Sequence, residues 1–126
     1  MHVSLSLIMS FFLLTNATEQ ITGKRQLLIF GQPQTQLVVQ QLELLKKDAA
    51  GVEERDIMIT LVAKENPICK KYKVDASRPL TIILVGKDGG EKHRTHNVIT
   101  AQQLFALVDA MPMRQAEMRN TKKPRQ

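Results

Sequence analysis

Few residues of this 126-residue chain have both the type and the setting for chemistry. Cys69 is the only thiol. A single cysteine excludes an internal disulfide framework, an iron–sulfur cluster and a zinc ribbon. It stands near the start of a short expected helix, next to Lys70 and Lys71. Helix dipole and neighbouring cations favour the thiolate, so one reading is a reactive cysteine, able also to link two copies of the chain. The other reading, favoured by Ile68 and Tyr72 beside it, is a small apolar residue in a core, where free cysteines commonly sit. His93 and His96 stand three apart on an expected strand and therefore point to opposite faces. Zinc asks for three or four ligands, and the only other histidine is His2. No metal and no cofactor is expected. Glu53, Glu54 and Asp56 resemble an acid–base cluster, but they stand at a helix end and a strand start, with no nucleophile or electrophile nearby. Gly89-Gly90 lacks the strand–loop–helix context of a phosphate cradle.

The elements that would position these residues follow from periodicity. Arg25–Phe30 (RQLLIF) is a short apolar run ended by Gly31, and reads as a buried strand. Residues 31–35 form a loop. Val38, Leu42, Leu45 and Ala49 then recur at helical spacing. Gly51 is the expected terminator, with a last half-turn reaching Glu54. Asp56 opens IMITLVA, apolar on both faces and so expected at the centre of a sheet. Strand, helix, strand makes a parallel crossover unit. Asn66-Pro67 starts a short helix over residues 68–73. Pro79 leads the third strand, LTIILV. Lys87-Asp88-Gly89-Gly90 is a hairpin turn, and the polar return strand, residues 91–96, belongs at an edge. Thr100 and Gln103 form a capping box, with Ile99 and Leu104 as its hydrophobic staple. Leu104, Leu107, Val108 and Met111 make the buried stripe of that helix. Pro112 kinks or ends it. Residues 113–119 can resume as a helical turn or two, and residues 120–126 are expected to be disordered.

The net charge is +6. From Met113 onward, Arg114, Arg119, Lys122, Lys123 and Arg125 stand against Glu117 alone, so four of these charges fall in the tail. The remaining excess of two is ordinary for a soluble domain, and a short basic tail is normally solvated. With 4% aromatic residues there is little to stack on bases, and no nucleic-acid partner is expected. At the other end, residues 1–17 read as a signal peptide. Residues 3–14 are apolar apart from Ser4, Ser6 and Ser10, and residues 1–18 contain no Lys, Arg, Asp or Glu. The run is too short to span a bilayer, which needs about 20 apolar residues, and it is followed by Thr15-Asn16-Ala17, a small-residue cleavage pattern. No Lys or Arg precedes it. The alternative is a buried N-terminal element of the domain. The sequon at Asn16 straddles the cut and carries no weight. The mature chain is expected in the periplasm or outside the cell, without a membrane span.

The element order is that of the thioredoxin fold, which the second half resembles in detail: Tyr72-Lys73-Val74, then Pro79-Leu80-Thr81 heading a strand, then Gly86-Lys87-Asp88-Gly89 at a hairpin. The phrases RQLLIF, ILVGKDGGEK and LFALVDAMPMRQAEMR resemble more closely a bacterial exported family known as domain of unknown function 4174. Domains of animal sushi-repeat-containing and coiled-coil-domain-containing matrix proteins are related to it. The resemblance covers residues 23–119. It implies an α/β, thioredoxin-like and peroxiredoxin-related domain in the order β-α-β-α-β-β-α, with a four-stranded mixed sheet between helices and a cis bond at Arg78–Pro79. It brings no substrate and no catalytic residues. Where redox thioredoxins carry Cys-x-x-Cys, this chain has Gly31-Gln32-Pro33-Gln34-Thr35, and residues 35–37 offer no peroxiredoxin thiolate. Disulfide exchange begins with thiolate attack, so the usual chemistry of both families lacks its sulfur.

The reading is a non-redox binding domain for an envelope or extracellular protein or peptide. Its expected ligand corner is where Gln32, Pro33 and Gln34 face Arg78 and Pro79. The alternative is a peroxiredoxin-related thiol oxidoreductase using Cys69.

Overall fold

The computed structural model describes residues 23–122. Four strands, β1 (Arg25–Phe30), β2 (Ile57–Val62), β3 (Thr81–Val85) and β4 (Glu91–Thr95), form one sheet in the order β2-β1-β3-β4. β1 runs parallel to β2 and antiparallel to β3, and β3 runs antiparallel to β4. The five helices are α1 (Gln36–Lys46), α2 (Ala49–Glu54), α3 (Ile68–Lys71), α4 (Ala101–Asp109) and α5 (Pro112–Lys122). This is a thioredoxin-like α/β fold with a four-stranded mixed sheet.

Alternation along the strands sends side chains to two faces. Leu27, Ile29, Ile82 and Leu84 gather with Val38 and Leu45 of α1, Val52 of α2, and Leu104 and Val108 of α4. On the other face, Leu28, Phe30, Ile83 and Val85 meet Ile68, Cys69, Tyr72 and Val74. β1 and β3 are thus buried on both faces, which is why they read as continuous apolar runs.

β2 has the same apolar character but lies at a sheet edge, not at the centre. Two covered faces do not require two neighbouring strands, because faces and edges are perpendicular directions. The expected long first helix also divides. Asp48 leaves the helical region (φ −116°, ψ 36°), and α2 starts afresh after it. Gly51 therefore sits inside α2 and ends nothing. A Cβ there would stand 2.6 Å from the Phe105 ring, so this glycine lets α2 approach α4 closely.

The capping box is present: Gln103 N–H donates to Thr100 Oγ1 (3.1 Å) and Thr100 N–H to Gln103 Oε1 (2.9 Å). The hairpin turn places Gly89 at φ +85°, where a side chain would be strained. Pro112 occupies the first position of α5, where its missing N–H costs nothing. α5 then continues to Lys122, well beyond a turn or two and three residues into the stretch expected to be disordered. Residues 1–22, with the expected signal peptide, and residues 123–126 of the tail lie outside the described residues.

Candidate functional site

The expected corner forms at the C-terminal end of β1. Gly31 is buried and follows the last residue of that strand. A Cβ on it would meet Val38 Cγ2 at 2.7 Å and the Pro79 carbonyl at 3.0 Å. Only glycine lets the residue 31–35 loop close against the Pro79 segment. Gly31→Ala should therefore cost about 1–3 kcal/mol by overpacking, read as a lowered urea midpoint. An unchanged midpoint would show that α1 yields without cost.

The Arg78–Pro79 bond is trans, since the described residues contain no cis peptide. This corrects the expectation drawn from resemblance. An X–Pro bond favours trans by about 0.5–1 kcal/mol unless its surroundings reverse the choice. Here the turn from Asp75, closed by Arg78 N–H donating to the Asp75 carbonyl at 3.1 Å, brings the chain to β3 without that reversal. The cis-proline argument for the corner is lost, and the Gly31–Pro79 contact remains.

Gln32, Pro33, Gln34, Arg78 and Pro79 are all exposed. Among the described residues, the side chains of Gln32 and Gln34 make no hydrogen bond, while the Arg78 guanidinium interacts electrostatically with Asp75. Thr35 Oγ1 donates to the Gln32 carbonyl at 2.8 Å and holds the loop as a tight turn before α1.

Beside this corner, a cavity of about 30 Å³ is walled by Gly31, Lys64, Cys69, Arg78 and Thr81. Cys69 and the loop after β1, far apart in sequence, thus share one small space. The thiol does not have the character that Lys70 and Lys71 suggested. Burial is the largest effect and pushes its pKa up, and the charge of Glu65 adds to this. Its sulfur lies 3.4 Å from the Ala63 carbonyl and its body packs in the second core cluster. Neither lysine is among the causes that shift it, and Lys71 lies over the Tyr72 ring at 5.5 Å. His96 is beyond the end of β4, where its Nδ1 lies 3.2 Å from Thr81 Oγ1, while His93 stands opposite Leu84. Among the described residues no three of His, Cys, Asp and Glu converge as a metal site would require.

The opposite end of the sheet holds a charge cluster that sequence reasoning missed. Arg25, 1% exposed, donates to both carboxylate oxygens of Glu117 (3.3 and 3.2 Å) and to the Arg55 carbonyl (2.8 Å). Its Nε is buried without a partner. Lys87 bridges Glu117 (2.7 Å) and Asp56 (2.9 Å). Arg55 grips Asp109 with two bonds of 3.0 Å and lies over the Phe105 ring at 4.0 Å. Arg114 adds bonds to Asp109 (3.2 Å) and Glu54 (3.3 Å). Arg114 is 5% exposed, so this part of the basic tail is not solvated. The cluster clamps α5 to the sheet. Its only signal in the sequence was Arg25 at the head of an otherwise apolar run.

The clamp titrates in one direction. Burial pushes Glu117 up, but hydrogen bonds from Lys87 and Arg25 outweigh it and hold the carboxyl below the usual range. The hydrogen bond from Lys87 lowers Asp56, and that from Arg55 lowers Asp109. A carboxyl depressed in the folded state contributes stability above its unfolded pKa and loses it as pH falls through its folded pKa. Unfolding free energy should therefore stay level from about pH 7 to 5 and fall below about pH 4. Urea midpoints at three pH values measure this, and a midpoint that rises on acidification would contradict it.

A family model described as Domain of unknown function (DUF4174) matches residues 18–117. The chain belongs to the DUF4174 family. Among solved structures, this DUF4174 chain is similar to thioredoxin-2 of a malaria parasite: 20% identity and TM-score 0.56, covering 70% of this chain and 84% of that one. It is also similar to Plasmodium yoelii thioredoxin peroxidase I, at 16% identity and TM-score 0.59, over 86% of this chain and 82% of that one. A third is the mitochondrial 2-Cys peroxiredoxin of Plasmodium falciparum, at 16% identity and TM-score 0.55, over 83% and 82%. At such identities the likeness shows the thioredoxin fold alone. No curated protein matches the chain.

Proposed function

We propose that this DUF4174 protein is an exported binding domain that holds an extended peptide or protein segment in the cell envelope or outside the cell, without thiol chemistry. The loop after β1 carries this reading: Gln32, Pro33 and Gln34 stand there, exposed and without sulfur, locked against Pro79 by Gly31. The two amides supply free donors and acceptors for a peptide backbone, and the exposed Arg78 guanidinium adds further donors. Leu37, the second residue of α1 and 37% exposed, offers an apolar contact. Export rests on the uncharged apolar run in residues 1–17. No helix among the described residues is long and apolar enough to cross a membrane.

A second reading, a thiol oxidoreductase, draws on Cys69 sharing the cavity beside Gly31 and Arg78. Its raised pKa and packed sulfur weigh against it. The binding reading is tested by capture from the organism's own envelope extract. The wild type should retain a partner that a Gln34→Glu, Arg78→Glu variant of equal stability loses. Retention by both proteins would exclude the corner. Intact mass tests export: the recovered protein should begin near Thr18, and a full-length chain in the cytosolic fraction would refute it.

A further inference from the structure

Residues 64–78 hold five cations against two acids, and all five cations are exposed. Lys64 and Arg78 line the small cavity beside the candidate corner. Lys70 and Lys73 adjoin Cys69 and Val74, two further residues of its wall. Among the described residues, the ammonium groups of Lys64, Lys70 and Lys73 meet no carboxylate. Neither acid of the segment cancels this charge. Asp75 accepts from the Ser77 N–H (2.9 Å) and hydroxyl (2.7 Å), with Arg78 nearby, and Glu65 acts on the Cys69 thiol. On the other side of the corner, residues 31–35 are uncharged and the first turn of α1 holds no acid.

The opposite end of the sheet is the contrast. Arg25, Arg55, Lys87 and Arg114 are each held there by carboxylates of the same domain. Charge that serves the fold is paired within the fold, and the charge around the corner is not. Lys73 adds a second observation. It follows α3 at φ +52°, with its N–H donating to the Lys70 carbonyl at 3.1 Å. That left-handed position favours glycine, and a lysine there costs stability. An exposed ammonium without a carboxylate does not offset that cost within the fold.

We propose that the segment bound at this corner is acidic: an extended stretch of another protein whose Asp and Glu side chains meet Lys64, Lys70, Lys73 and Arg78. The inference rests on the peptide-binding reading above, with Gln32 and Gln34 facing the backbone of the segment. Exposed ion pairs contribute little one by one, so several together set the preference. They also draw the segment in from a distance, and salt screens them.

Selection from a random peptide library on the immobilised protein separates the two readings. The enriched peptides should carry more Asp and Glu than the starting library. Lys64→Gln combined with Lys70→Gln and Lys73→Gln should weaken the best of them about tenfold. Raising NaCl from about 0.05 to 0.5 M should weaken it as well. Lys73→Gly parts binding from folding: its urea midpoint should rise, because glycine takes this φ without strain, while its affinity for the peptide falls. Acidic peptides that bind the triple variant as tightly as the wild type would lie away from the patch and overturn the proposal. Enrichment of neutral peptides that the Gln34→Glu, Arg78→Glu variant loses would keep the peptide reading and overturn the acidic partner. Enrichment of no peptide would remove the peptide reading and this inference with it. Binding to phosphatidylglycerol vesicles would then assign the patch to a membrane surface.

Discussion

Glu117→Gln should destabilise the protein by about 3 kcal/mol, while Arg25→Met should stay within about 1 kcal/mol of the wild type. The two changes break the same ion pair, and the asymmetry comes from what each leaves behind. Arg25 is 1% exposed and Glu117 supplies both carboxylate oxygens it binds. Without that carboxylate, the buried guanidinium loses its hydrogen-bonded counter-charge and keeps only the more distant one of Asp56. Lys87 also loses its shorter contact, 2.7 Å. Removing Arg25 instead leaves Glu117 with Lys87 and Arg114, takes away a buried Nε that has no partner, and fills the space with an apolar chain of similar length. The Arg55 carbonyl loses one donor, which limits the gain. The double variant should accordingly be more stable than Glu117→Gln alone. Urea unfolding of the three proteins decides it, and for a domain of this size the larger loss lowers Tm by about 15 °C. Equal losses for the two single changes would mean that solvent reaches Arg25 freely.

Installing two thiols in the loop after β1 should create dithiol activity where the wild type has none. One thiol cannot form an internal disulfide, and the pKa of Cys69 is pushed up by burial. In disulfide reduction, and in peroxide consumption with an added thiol, wild type and Cys69→Ser should both match the protein-free blank. The turn itself already suits a disulfide. Thr35 N–H and Oγ1 both bond the Gln32 carbonyl, at 3.1 and 2.8 Å, so positions 32 and 35 face each other across one tight turn. Such turns hold their end Cα atoms within about 7 Å, close to the disulfide range. A thiolate at position 35 would sit at the start of α1, which lowers its pKa. In a Cys69→Ser background, Gln32→Cys with Thr35→Cys should give up two protons and two electrons to an added oxidant as its disulfide forms, and in the reduced form should reduce a test disulfide well above the blank. Turnover by the wild type that vanishes in Cys69→Ser would make Cys69 catalytic and overturn the binding reading. A double-cysteine variant that stays reduced under oxidant would show that the loop does not bring its ends together.

Local rules were enough for most elements. The apolar runs of β1 and β3, the Gly89 turn, the capping box at Thr100 and the stop at Pro112 each depend on a few neighbouring residues, and the structure has them where the spacing puts them. The polar return strand lies at an edge, as its composition requires. The candidate corner was legible only in part. Gln32 and Gln34 could be read as a loop without sulfur, and the resemblance brought Arg78 and Pro79 beside them. Nothing local revealed that Gly31 must be glycine because Pro79 lies against it.

By itself, then, the sequence determined the order of the four strands and the absence of an internal dithiol, because hydrophobic period, turn chemistry and cysteine content can be read without tertiary contacts, and its resemblance to thioredoxins supplied the fold class. Only the tertiary structure decided where β2 lies in the sheet, that Pro79 is trans, that Gly51 packs under Phe105, and that Cys69 shares a cavity with Gly31. Only it showed that Arg25, Glu117 and Lys87, spread over 92 positions, form one clamp. Apart from the Pro79 bond, which follows the turn from Asp75, each of these depends on contacts between residues distant in the chain. A charged residue reads as solvated until its partners, brought by other elements, are seen to bury it.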